Sequence, residues 1–225
     1  MIADNLRKIR SELPPEVKLV AVSKFHPVAD ILEAYGAGQR LFGENRPQEL
    51  AAKAPVLPSD IEWHFIGHLQ TNKLKFVLPY AAIVESIDSL HLLDAVEAWG
   101  ASRDKVTDVL LELHLGAEET KGGFTESGIE DVLSRSSEYP HVRFRGMMGM
   151  ATNTSDETVV EADFARIEAF KKSLEGRFAL PDFNELSIGM SGDWPLAIRH
   201  GATVVRIGTA IFGPRTTRDC LPRRP

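Results

Sequence analysis

The chain has one cysteine, Cys220, among 225 residues, so it can form neither an internal disulfide nor a thiolate zinc site, and a reducing compartment is expected. It also lacks a surplus of positive charge. The formal net charge is −6 with acidic and basic residues interspersed, which leaves no nucleic-acid footprint; Arg218, Arg223 and Arg224 read as a solvated tail. No apolar run approaches the ~20 residues that cross a bilayer, and Met1 to Arg10 alternates apolar with charged residues where a signal peptide would be continuous. A cytoplasmic protein with neither nucleic-acid nor membrane partners is expected. Tyrosine is scarce: Tyr35, Tyr80 and Tyr139 fall in helix, turn or loop. No repeat, linker or low-complexity segment divides the chain. One domain over residues 1–225 is expected, with an N-terminal helix over about 2–13 and a short tail over about 214–225.

What is present is an alternation of strand and helix signals. Val17 to Lys24 is rich in apolar and β-branched residues and reads as a strand buried on both faces, the kind that belongs to a parallel sheet. Further strands are predicted over 40–45, 63–67, 82–87, 106–115, 142–150, 183–188 and 203–207. Helices are predicted over 28–35, 47–54, 70–78, 90–99, 129–134, 157–174 and 194–200. Ile2 to Leu13 carries apolar residues at 2, 6, 9 and 13 and stops at Pro14-Pro15, as an amphipathic helix does. Pro47 opens one helix, and Asp88 is read as the N-cap of another. Eight strand–helix units in succession predict an α/β fold, a single closed (β/α)8 barrel, with an open doubly wound sheet as the alternative.

In such a barrel the chemistry collects at the carboxyl ends of the strands. Lys24 closes the first strand, and a lysine there has two readings. Either its stem lies along the barrel edge with the ammonium in water, or its amine forms an imine with a carbonyl cofactor or substrate. Ser187-Ile188-Gly189-Met190-Ser191-Gly192-Asp193 runs from the seventh strand into a short helix, and Gly208-Thr209 follows the eighth. Backbone N–H groups and hydroxyls in those loops suit a phosphate, although two glycine turns with a serine cap produce the same pattern.

Arg206 stands in an otherwise apolar strand with Val204, Val205 and Ile207, and it either points into the barrel mouth or pairs with Glu185 or another carboxylate. Opposite a pyridine nitrogen it has only donors to offer, which leaves the ring unprotonated and a poor electron sink. His64 and His68 lack metal-ligand spacing and read as packed or hydrogen-bonded, so no metal site is expected. His26, His91, His141 and His200 read as surface or cap residues, Glu118-Glu119 and Asp156-Glu157 as solvated or capping carboxylates, and Lys121-Gly122-Gly123 as a surface turn.

Five blocks of sequence then fit one family. They are Val22-Ser23-Lys24 before Pro27; Phe42-Gly43-Glu44-Asn45 with Gln48-Glu49; Trp63 to Gln70 with Asn72-Lys73; Ser187 to Ser191 with Asp193; and Val205 to Gly213. Together they resemble the pyridoxal-phosphate-binding homeostasis protein family, itself similar to the barrel domain of alanine racemase standing alone, over about residues 16–213. The resemblance implies that Lys24 carries pyridoxal 5′-phosphate as an internal aldimine and that Arg206 faces the pyridine nitrogen. It implies that Ser191, Gly208 and Thr209 hold the phosphate with Ser187 and Met190 alongside, while Asn45 and His64 line the pocket.

The family's implied role is to bind, buffer and deliver this cofactor without established turnover, with apo forms of pyridoxal-phosphate-dependent enzymes as recipients and the chain acting as a monomer. The alternative is an amino-acid racemase or related enzyme, which needs acid–base groups on both faces of the substrate carbon; this chain ends soon after the eighth strand, where two-domain racemases continue. A third reading is a phosphosugar-binding barrel in which Lys24 is an electrostatic contact. The chain departs from the family pattern at Arg46-Pro47, after Glu44-Asn45, and at His114, where an asparagine is usual.

Overall fold

Strand residues alternate their side chains between two faces, and here both faces are covered, one by helices and the other by the closed interior of the sheet itself. The computed structural model describes residues 1–116, 122–178 and 180–214. Its strands are β1 (Lys18–Val22), β2 (Leu41–Glu44), β3 (Glu62–Phe65), β4 (Ala81–Ile87), β5 (Thr107–Leu113), β6 (Val142–Gly149), β7 (Glu185–Ser187) and β8 (Val204–Ile207). Each pairs in parallel with the next, and β8 pairs with β1 from Lys18↔Val204 to Ala21↔Ile207, which closes the barrel. The expected closed (β/α)8 fold is therefore the observed one, and the open sheet is not.

The helices are α1 (Ile2–Glu12), α2 (Val28–Gly36), α3 (Pro47–Lys53), α4 (Leu74–Val77), α5 (Leu90–Ala101), α6 (Glu126–Ser134), α7 (Glu157–Glu175), α8 (Trp194–Arg199) and α9 (Thr209–Phe212). α1 buries Ile2, Leu6 and Ile9, and Asn5 Nδ2 donates to Ile211 O at 2.9 Å, so the start of the chain is fastened beside the turn that follows β8. The main apolar cluster lies between strands and helices and includes Phe42, Phe65, Val84, Leu111, Phe164 and Ile207. A second, small cluster of Ile83, Leu110 and Met148 is separate from it. Much of the remaining interior is polar: His64, Glu85, Glu112, Ser187 and Arg206 are all buried.

Some local expectations give way to the structure. β1 ends at Val22, so Lys24 stands two residues past the strand instead of closing it. The helix predicted over 70–78 is divided into a 3-10 turn, Thr71–Lys73, and the short α4. Ser89, not Asp88, caps α5, its hydroxyl accepting from Leu92 N–H at 3.4 Å, because Asp88 is drawn away to His68 Nδ1 at 2.8 Å. α9 has no counterpart in the sequence reading. Asp156 does cap α7, accepting from Thr158 N–H at 3.0 Å. Cys220, Arg218, Arg223, Arg224, Glu118-Glu119 and Lys121 lie outside the described residues. Among the described residues no helix is long and apolar enough to cross a membrane, and no cluster of side chains could hold a metal ion.

Candidate functional site

A cavity of about 260 Å3 opens among the loops at the carboxyl ends of the strands. Residues from the ends of β1, β2, β3, β6, β7 and β8 meet there, among them Lys24, Asn45, Met190, Ser191, Arg206, Gly208 and Thr209. Alternation explains the choice: Val22, Lys24, Asn45, Arg206 and Gly208 occupy the inward positions of their strands and of the residues that extend them. Seven of the nine residues singled out from the sequence thus line one cavity. The other two, His64 and Ser187, do not.

Those two belong to a buried chain of polar groups that ends on Arg206. His64 Nδ1 lies 2.5 Å from Glu85 Oε1, Ser187 Oγ donates to Glu85 Oε2 at 2.5 Å, and Arg206 Nη1 donates to Ser187 Oγ at 2.6 Å. Arg206 also donates to the carbonyls of Ser187 at 2.7 Å and Gly149 at 2.9 Å, and lies 3.7 Å from Glu85 Oε2. Burial alone would raise the Glu85 carboxyl, but His64, Arg206 and Ser187 outweigh it and hold the group below the usual carboxylate range. Glu85 is therefore the carboxylate that balances Arg206. Glu185, the partner considered from sequence, is engaged instead by Lys18 at 2.7 Å and Arg145 at 3.4 Å.

A guanidinium carries five N–H hydrogens, and Arg206 spends three on described residues, leaving two. Across the cavity wall, Asn45 Oδ1 is a buried acceptor with no hydrogen-bond partner among the described residues. On the third side, Gly208 N–H donates to Ser191 Oγ at 3.3 Å and ties the loop after β7 to the loop after β8. Gly189 makes that loop possible: its φ is +91°, and a Cβ there would stand 2.7 Å from Ala197 Cβ. Met190 N–H donates to Asp193 Oδ1 at 2.5 Å, which turns the chain into α8.

Two groups at the barrel mouth escaped the sequence reading. His26, expected as a surface or cap residue, is 3% exposed and lines the cavity, stacked on Phe212 of α9 at 4.8 Å with its Nδ1 3.1 Å from Asp30. The ring that covers it arrives from the far end of the sequence, so no local signal marks it. Glu112, at the end of β5, is 7% exposed, and its carboxyl is pushed up to about 7, chiefly by burial and then by Asp88, against the pull of Arg206, His68 and His114. A carboxylate between Leu111 and Leu113 was the available signal.

The sequence profile described as alanine racemase, N-terminal domain, matches residues 1–216. A pyridoxal phosphate homeostasis protein of Vibrio alginolyticus is 41% identical over 207 residues, 90% of this chain and 88% of that protein. The chain belongs to the pyridoxal phosphate homeostasis protein family. A second member, from Escherichia coli K12, is 35% identical over 95% of this chain and 97% of its own length. Among solved structures, PipY of Synechococcus elongatus PCC7942, described without PLP, superposes with a TM-score of 0.90 at 38% identity, over 95% of this chain and all of that one. The same protein described with PLP bound gives a TM-score of 0.86 at 37% identity. Alanine racemase from Bartonella henselae, at 17% identity and a TM-score of 0.74, shares the fold alone, this chain spanning 61% of it.

Proposed function

We propose that this family member binds pyridoxal 5′-phosphate in the cavity at the barrel mouth and serves its homeostasis, holding it through Lys24 and exchanging it without turnover of its own. The observation that carries the reading is the meeting of an amine, a charge-balanced guanidinium and a Ser–Gly phosphate cradle on one wall-to-wall cavity. Lys24 supplies the amine that captures the aldehyde. Arg206, with two donor hydrogens to spare, suits an unprotonated ring nitrogen, and Ser191, Gly208 and Thr209 suit the phosphate, with Met190 beside them. Asn45 lines the cavity that would take the ring system. Ser187 acts on Arg206 directly and His64 through Glu85, together fixing where the guanidinium points. When bound, the cofactor supplies an electrophilic carbon and an electron sink, and the arginine keeps that sink weak.

The carrier reading is preferred to a racemase on that last point. The tyrosine hydroxyls that could serve as a second acid–base group are engaged elsewhere: Tyr35 donates to Asp60 at 2.7 Å and Tyr139 to Asp94 at 3.0 Å, while Tyr80 is an exposed residue outside the cavity. We further read residues 1–225 as one cytoplasmic domain acting as a monomer, with apo pyridoxal-phosphate-dependent enzymes as recipients. The test is the visible spectrum of wild type and Lys24→Ala with pyridoxal 5′-phosphate added, followed by borohydride reduction and peptide mass mapping. A band present in wild type, absent in the variant, and a tag on Lys24 are expected. A tag on another lysine overturns the assignment, and amino-acid racemisation at enzyme-like rates that Lys24→Ala abolishes overturns the carrier reading.

A further inference from the structure

The alternation that turns Lys24 inward turns Ser23 outward, into a buried polar cluster behind β1 that the proposed function leaves unused. Lys53, the last residue of α3, is fully buried there. Its ammonium donates to Glu44 Oε1 at 2.7 Å, to Glu49 Oε2 at 2.9 Å and to the Ser23 carbonyl at 3.0 Å, which accounts for all three of its hydrogens. Ser23 Oγ donates to Glu44 Oε1 at 2.8 Å, and Phe25 N–H donates to Glu49 Oε2 at 3.0 Å. The cluster therefore grips the chain on both sides of Lys24.

Phe25 needs such a grip. Its φ is +65°, a left-handed conformation that a bulky residue adopts only when its surroundings impose it. Arg46 covers the ring from outside, its guanidinium carbon 4.2 Å from the ring centre, while its Nη1 lies 3.7 Å from Glu49 Oε1. His26 N–H closes the turn on the Ser23 carbonyl at 3.0 Å. A buried ion pair is weak evidence of stabilisation, since well-packed apolar residues often do as well. Bonding one to the backbone on either side of a single residue fixes that residue's conformation, which apolar packing does not do as sharply.

We propose that Lys53, bridging Glu44 and Glu49, is a positioning residue for Lys24: it holds Ser23 to Phe25 in the backbone shape that presents the Lys24 amine to an aldehyde in the cavity. The proposal rests on the reading of Lys24 as the capturing amine. In that capture the nitrogen of the neutral amine bonds to the aldehyde carbon, and the aldehyde oxygen leaves as water with the two amine protons. A displaced backbone weakens that bond while leaving the phosphate cradle, built on β7 and β8, in place.

The test compares two ligands on Lys53→Met and on the triple variant Lys53→Met/Glu44→Gln/Glu49→Gln, in which all three buried charged groups of the cluster are replaced by neutral ones. Pyridoxine 5′-phosphate, an alcohol, reads the cavity without capture; pyridoxal 5′-phosphate reads both, and its visible band reads capture directly. In a folded variant the affinity for the aldehyde is expected to fall about tenfold or more with a weakened band, and that for the alcohol to stay within about threefold. An unchanged band and aldehyde affinity overturn the proposal. So does an equal loss for both ligands, or loss of the fold in both variants, because the cluster then serves the barrel and not Lys24. Wild type that captures no aldehyde, or captures it on another lysine, overturns the reading of Lys24 and this proposal with it.

Discussion

Glu112 offers a stability measurement in which the sign and the pH window both follow from the structure. Its carboxyl is pushed from 4.5 up to about 7 in the folded chain, first by burial and then by the neighbouring Asp88. A carboxyl raised on folding binds its proton more tightly in the native state, so ionising it costs stability as pH rises. Below about pH 4.5 both states are protonated and the cost is absent; above about pH 7 both are ionised and it is complete. A displacement of that size corresponds to about 3 kcal/mol. Glu112→Gln keeps the volume and removes the charge. Urea denaturation of the ligand-free wild type and variant should therefore show the variant ahead by less than about 1 kcal/mol at pH 5 and by about 3 kcal/mol at pH 8. For a chain of this length the larger gap is about 6–12 °C in melting temperature. A gap that stays flat across this range would mean that Glu112 does not titrate there and that its neighbours compensate its charge in full.

Arg206→Leu leaves Glu85 buried with only His64 and Ser187, so a loss of about 3–5 kcal/mol is expected by urea denaturation. Adding Glu85→Gln should recover part of that loss; no recovery would show that the cost is not the unpaired carboxylate. Gly189→Ala forces a side chain into a φ of +91° and against Ala197, and should cost at least about 1–3 kcal/mol together with phosphate-ligand affinity. Ser191→Ala removes the hydroxyl proposed to donate to the phosphate, which also ties down Gly208, and should weaken pyridoxine 5′-phosphate binding by about three- to tenfold in calorimetry, with the melting temperature nearly unchanged. An unaltered affinity would place the phosphate elsewhere.

The order of strands and helices was legible because each strand is an apolar run fenced by glycine, proline or charge. Lys24 and Arg206 were legible as charged exceptions within such runs, and the Gly-rich ends of β7 and β8 as loops that line the cavity. Glu85 and Glu112 carry the same kind of signal, a carboxylate between apolar neighbours, and reading it with the same rule would have found both. What no local pattern holds is pairing across the barrel. Ser187 meets Glu85 from 102 residues away, and His26 is covered by Phe212. His64 was expected in the cavity wall, whereas it lies two residues before Ile66, which does line the cavity, and is hydrogen-bonded to Glu85.

The cavity wall and the buried chain of polar groups that ends on Arg206 divide the work at the barrel mouth. The cationic side chains of the cavity wall include Lys24 and Arg206, and Arg206 has its charge balanced from beneath by Glu85 and its direction fixed by the carbonyls of Ser187 and Gly149. An anion beside the loops after β7 and β8 then meets donors without formal charge, among them the hydroxyls of Ser191 and Thr209. Those donors carry no formal charge, so their hydrogen bonds to a phosphate are charge-assisted from the anion's side alone. On the reading proposed above, a phosphate held that way is released without breaking an ion pair, and capture at Lys24 would be the contact that sets residence time. If Lys24 captures the aldehyde as proposed, the backbone around it, more than the loops after β7 and β8, is the place where a substitution should alter exchange.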